Sequence, residues 1–203
     1  LLIASGAPVD GARGDRETPL MTAASYGDAD VARVLVEAGA DLDALAAPDA
    51  GGVPGGSALR HAAVFGMTDV VDCLVAAGAR IVSLAEAAAA GDISAWPIGE
   101  TTADERVRAL VMAADHERLT VIDELLAAGV PVDAVDPKWR RQALRTAAQN
   151  GRAAGVRHLL HRGADPTLKD DDGNTALTLC QEHRYEPGTG HDEVAAMLRA
   201  AIG

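Results

Sequence analysis

Asp115, His116 and Glu117 put acid and base types side by side, the chemistry of general acid–base catalysis. A working site of that kind also needs a nucleophile within reach of the base and a third group to orient it. The sequence offers neither, so the triplet is read as no catalytic centre. His158 and His161 stand three residues apart and would share one helix face, close enough to touch a single metal ion. They flank the apolar pair Leu159-Leu160, so the plainer reading is a solvated outer face. There is no glycine-rich phosphate loop, no metalloprotease-type histidine pair and no clustered cysteine. The residues therefore predict no catalytic residue, no metal and no cofactor, and the chain is expected not to be an enzyme.

Binding chemistry is better represented. Trp139 stands among Lys138, Arg140 and Arg141, and Trp and Arg are the side chains that most often anchor protein interfaces. From Lys138 to Arg162 there are seven basic residues and no acidic one, whereas the rest of the chain carries 11 basic against 30 acidic. One reading makes this block the receiver of an acidic partner segment. The other pairs it with acidic neighbours such as Asp165 and Asp170 to Asp172. The overall charge of −12 argues against nucleic acid, whose binding needs cations to displace phosphate counterions.

These residues sit on a repeating frame. Thr18-Pro19-Leu20-Met21-Thr22-Ala23-Ala24 is answered by Ser57-Ala58-Leu59-Arg60-His61-Ala62-Ala63, and again by Gln142-Ala143-Leu144-Arg145-Thr146-Ala147-Ala148. Looser copies run from Ala109 and Gly173. The glycines expected to end second helices, Gly6, Gly39, Gly78, Gly129 and Gly163, are spaced by 33, 39, 51 and 34 residues. The long gap holds a compact unit starting at Leu84, whose second helix is replaced around Ile93 to Glu100. Thr18, Ser57 and Thr175 are N-cap types, Pro19 suits the first helical position, and the Val/Leu stripes have helical period. Aromatics make up only 2% of the chain, so the core must be Ala, Leu and Val, which argues against a sandwich or barrel. A single helix pair cannot bury its own apolar face; stacked neighbours can.

These recurring segments resemble the ankyrin repeat, matching that family's Thr-Pro-Leu-His, Ala-Ala-x-x-Gly and Leu-Leu-x-x-Gly-Ala-Asp elements in order and near its 33-residue period. The resemblance implies an all-α solenoid of about six helix-turn-helix units, one of them compact and degenerate. On this reading residues 1–203 form a single ankyrin repeat domain. Its units span roughly 1–14 (partial), 15–47, 48–82, 83–105 (degenerate), 106–138, 139–171 and 172–203. The histidine of the family's turn is replaced throughout, by Met21, Arg60, Ala85, Val111, Arg145 and Thr178. Leu1 to Ala4 read as the tail of a second helix, so the chain reads as a fragment. Glu182 to Gly190 read as an insertion before a last helix over Glu193 to Ala201.

The resemblance also implies a protein partner, met on a concave side made of loop fingers and first helices. The variable pairs expected to face it are Ser25/Tyr26, Val64/Phe65, Ala89/Ala90, Asp115/His116 and Gln149/Asn150. Tyr26 and Phe65 either anchor a partner or merely cover neighbouring helices. The predicted partner-binding set is Tyr26, Phe65, His116, Lys138, Trp139, Arg141, Arg145 and Asn150. The function expected is a protein-binding scaffold or regulatory adaptor. The alternatives are a small-molecule binder or atypical enzyme with a pocket near Trp96 and His116, and a purely structural segment. Two distant cysteines, Cys73 and Cys180, fit a reduced, cytoplasmic setting, and no apolar run approaches membrane-spanning length. The Arg and Ala bias points to a GC-rich, bacterial coding genome.

Overall fold

The structure, a computed structural model, describes residues 6–12, 14–183 and 190–203. The readings placed on Leu1 to Ala4 and on most of the insertion after Glu182 lie outside them. Every regular element among the described residues is helical, apart from one antiparallel bridge between Val135 and Gln142. The chain divides into two compact units, Leu1–Glu86 and Ala87–Gly203.

The first unit holds α1 (Pro19–Tyr26), α2 (Ala29–Glu37), α3 (Ala58–Val64) and α4 (Thr68–Ala76). The first helices α1 and α3 pack on each other, and the second helices α2 and α4 back them. Buried Leu20, Ala23, Ala24, Leu59, Ala62 and Leu74 make the seam, and each buried Leu contributes about 1.5–3 kcal/mol. Helix α5 (Leu84–Ala90) straddles the division between the units. The second unit continues with α6 (Ala103–Asp115), α7 (Leu119–Ala127), α8 (Ala143–Gln149), α9 (Ala153–His161), α10 (Ala176–Glu182) and α11 (His191–Ile202). Here α8 lies between α6 and α10, with α9 and α11 behind. The last helix starts two residues earlier than expected, at His191.

Local chemistry explains the helix ends. Gly39, Gly78, Gly129 and Gly163 follow second helices at φ between 85° and 90°, the left-handed conformation expected of them. The lost turn histidine is replaced by other side chains. The Thr18 amide donates to the Met21 sulfur at 3.4 Å, and the Thr175 amide to the Thr178 hydroxyl at 2.7 Å. Each closes a capping box with the threonine hydroxyl that caps the helix.

The compact, degenerate repeat at 83–105 keeps α5 and loses its second helix, as expected. Ile93 is buried in its place and a single 3-10 turn, Ile98–Glu100, follows. The orphan carbonyl of Ala89 in the last turn of α5 accepts from Arg118 Nε at 2.8 Å. Thr102 then starts α6 early through a capping box with Glu105, giving it 13 residues where α8 and α10 have seven.

His61, on α3, is fully buried and its Nδ1 lies 2.9 Å from the Ser25 hydroxyl. Burial pushes its pKa below the ordinary 6.5, against the opposing pull of the Glu17 carboxylate and the Val53 carbonyl. The unfolded chain takes up a proton as pH falls through 6.5, whereas the folded chain resists it until lower pH. Stability from this site is therefore complete above 6.5 and declines as pH drops below it. Urea midpoints of wild type at about pH 8 and about pH 5 are expected to differ more than those of His61→Gln. Equal pH dependence in both proteins would refute this role.

Candidate functional site

The best-defined polar construction in the second unit is the finger that leads into α8. Asp136 precedes Pro137, which favours extended backbone at Asp136 and the start of a turn. The Asp136 amide donates to the Arg141 carbonyl, and the Arg140 amide returns to the Asp136 carbonyl, both at 2.8 Å. Arg140 closes the turn at φ 55°, in the left-handed region. The Asp136 side chain is 0% exposed and folds back over this turn, accepting from the Trp139 amide at 3.1 Å. Its other oxygen takes Arg108 Nη2 of α6 at 2.9 Å. One buried carboxylate thus fixes the finger to the preceding repeat.

Trp139 is presented by that turn, half-buried. Three cations surround its ring, with Arg108 at 5.0 Å, Lys138 at 5.7 Å and Arg141 at 5.9 Å from the centroid. All lie within cation–π range. Next to it Arg140 forms a bidentate pair with Asp171 of the following finger, at 2.7 to 3.0 Å. Both partners are well exposed, so the pair adds little stability but sets the spacing of two fingers. Between them opens a cleft of about 530 Å³, lined by Trp139, Arg141, Arg145, Gln149, Asp172 and Leu179 among others.

Arg145 is 5% exposed. Burial draws its pKa below the ordinary arginine value, opposed by the nearby carboxylates of Asp170, Asp171 and Asp133 and reinforced by Arg140. Its guanidinium makes no hydrogen bond or ion pair with any described residue.

The remaining expected residues divide. Tyr26, at the end of α1, is 83% exposed, and Phe65, after α3, is 40% exposed with its ring 6.5 Å from His61. Both belong to the first unit. Lys138, Trp139 and Arg141 come together as the sequence suggested, and Arg145 joins them at the cleft. His116 departs from expectation: it is 1% exposed and offers no surface to a partner. Its neighbour Asp115 is buried too, accepting from Asn150 Nδ2 at 2.7 Å and facing Arg152 at 3.7 Å. That variable pair faces the next repeat. Asn150 is exposed but its amide is already engaged by Asp115.

Glu117 completes the same joint. It stands where four other repeats carry Gly27, Gly66, Gly91 and Gly151 after the first helix, at φ 54°, and its Oε1 accepts from the Ala154 and Gly155 amides at 2.8 and 3.3 Å. It therefore caps α9 from the preceding repeat. The acid–base triplet is thus built into a joint between repeats.

Much of the basic block is internally paired. Besides Arg140, Arg157 pairs with Glu193, and Arg162 and His158 share Asp123 at 2.7 and 2.6 Å. Among the described residues no group of three His, Cys, Asp or Glu could hold a metal, and no helix is long and apolar enough to cross a membrane. Sequence reading missed Arg108 and Asp136, which hold the finger. The available signal was opposite charge about one repeat apart.

The family models agree with this architecture. A family model described as ankyrin repeats (3 copies) matches residues 1–85, and one described as ankyrin repeats (many copies) matches 125–180. An ankyrin repeat-containing protein of Treponema pallidum is 45% identical over 56 residues, 28% of this chain and 19% of that protein. The Espin-like protein of Homo sapiens is 34% identical over 79 residues, 39% of this chain and 7% of that one. The ankyrin repeat and KH domain-containing protein mask-1 of Caenorhabditis elegans is 29% identical over 197 residues, 92% of this chain and 7% of that one. The chain thus spans 19% or less of the length of these relatives. Among solved structures, the human ASB11 ankyrin repeat domain is 24% identical, with a TM-score of 0.45, covering 100% of this chain and 90% of that one. With helix-turn-helix units stacked in both compact parts and ankyrin models matching most of its length, the chain belongs to the ankyrin repeat family.

Proposed function

We propose that the chain is a protein-binding scaffold or regulatory adaptor whose main contact surface is the Trp139 finger and the cleft beside it. Ankyrin repeats are generally protein–protein interaction modules and generally not catalysts. The observation that carries the reading is the half-buried Trp139 ring among three cations at the mouth of a cleft. Trp and Arg are the side chains most enriched at interface hot spots. The cations there favour a partner segment with negative charge. Tyr26 and Phe65 give the first unit an exposed aromatic pair of its own. His116 does not belong to the contact set. Cys73 and Cys180, neither in a disulfide, fit a cytoplasmic setting, and the composition fits a bacterial host.

The test is the double variant Trp139→Ala with Arg141→Ala. It is expected to lose the proteins captured from native lysate by wild type while keeping its helical circular dichroism and urea midpoint. Capture of the same proteins by both would place the contact surface elsewhere.

A further inference from the structure

Resting on that reading of the cleft, we infer that its specific ligand group is one carboxylate. It is carried by an Asp or Glu side chain next to an apolar residue in an extended partner segment, and received by Arg145. Arg145 is a charged side chain more than nine-tenths buried, lining the cleft, with no described hydrogen-bond or ion-pair partner. Its nitrogens are not among the sealed, unpaired polar atoms of the interior, and the residue lines the cleft. A buried guanidinium left this way lacks an acceptor among the described residues, and its planar fork matches a carboxylate through two parallel hydrogen bonds.

The surroundings select among anions. Asp170, Asp171 and Asp172 line the same cleft. Asp171 is taken by Arg140, while Asp170 accepts from the Asp172 and Asn174 amides. This acidic wall tolerates a single negative charge at Arg145 and repels a phosphate dianion or a run of acidic residues. The apolar lining comes from two repeats, Trp139 in one and Leu179 in the next. An internal residue with neighbours on both sides serves such a lining better than a chain end.

A random peptide display library selected on the full chain tests this, followed by synthesis of the enriched peptides with blocked ends. Enriched sequences are expected to share one Asp or Glu beside an apolar residue. Changing that residue to Asn or Gln is expected to weaken binding to wild type by about tenfold or more. This arm needs no change to the protein. Arg145→Gln should erase the difference between acid and amide peptides, and Arg145→Lys should restore part of it. Replacing the acid with phosphoserine should weaken binding. Equal affinity for acid and amide peptides, tighter binding of phosphoserine, or enrichment of acidic runs would overturn the carboxylate assignment while leaving the cleft reading standing. Peptides that bind Trp139→Ala as well as wild type would instead sink the cleft reading itself.

Discussion

Asp136→Ala is expected to lower the stability of the second unit by about 3 kcal/mol, at the lower end of what breaking a buried pair costs. The carboxylate is fully buried and accepts from both the Arg108 guanidinium and the Trp139 amide. Removing it leaves Arg108, whose side chain is only 20% exposed, facing an empty site, and frees the turn that aims Trp139. The lower end is chosen because water reaches Arg108 from one side and softens the loss. Partner capture should fail together with stability. Asp136→Asn with Arg108→Met, which removes both charges and keeps an acceptor for the Trp139 amide, should recover much of the stability. Urea unfolding followed by Trp fluorescence and by circular dichroism measures both. A wild-type midpoint for Asp136→Ala would show that the carboxylate does not hold the finger.

Gly155→Ala is expected to destabilise by about 1–2 kcal/mol and Gly155→Val by about 2–3 kcal/mol, within the usual range for overpacking. Helix propensity alone gives the opposite sign for alanine, a gain approaching about 1 kcal/mol. The reason lies in the approach of α9 to α6. A Cβ at Gly155 would stand 2.8 Å from the Ala114 carbonyl oxygen, which is backbone and cannot rotate away. Moving α9 outward to relieve that contact also strips the Glu117 cap from the Ala154 and Gly155 amides. Denaturant midpoints of the two variants decide the matter; a more stable Gly155→Ala would mean that the helices sit further apart than described.

The fold was largely legible because ankyrin-like units write their geometry into short local patterns. Thr18-Pro19, the paired alanines and the glycines at 39, 78, 129 and 163 each specify a helix start, a close approach or a helix end without reference to distant residues. The defect at Leu84 to Glu105 showed itself as a change of spacing. The site was less legible. Asp115 and His116 occupy a column expected to be open, yet the Asn150 amide and the Arg152 guanidinium meet Asp115 and both residues are buried. Single-repeat reading cannot see that, because the partner comes from the next repeat. The basic block admits two readings, and the pairing reading holds in part: Asp171 meets Arg140 as that reading offers, while Asp123 and Glu193, from neighbouring repeats, are not among the partners it names. Arg145 was placed in the contact set for its charge; its burial, which gives that charge its use, came from packing.

Those inter-repeat contacts have a consequence for how the chain folds. Arg140 reaches 31 residues ahead to Asp171, Asn150 reaches 35 back to Asp115, and Arg162 reaches 39 back to Asp123. The loops that must close are therefore all of one modest size, and closure entropy grows only slowly with length. Folding within each unit can nucleate at any adjacent pair and spread outward, without a search for remote strands or distant ends. On the ribosome, a repeat would be completed as soon as the following one emerges, so that folding keeps pace with synthesis.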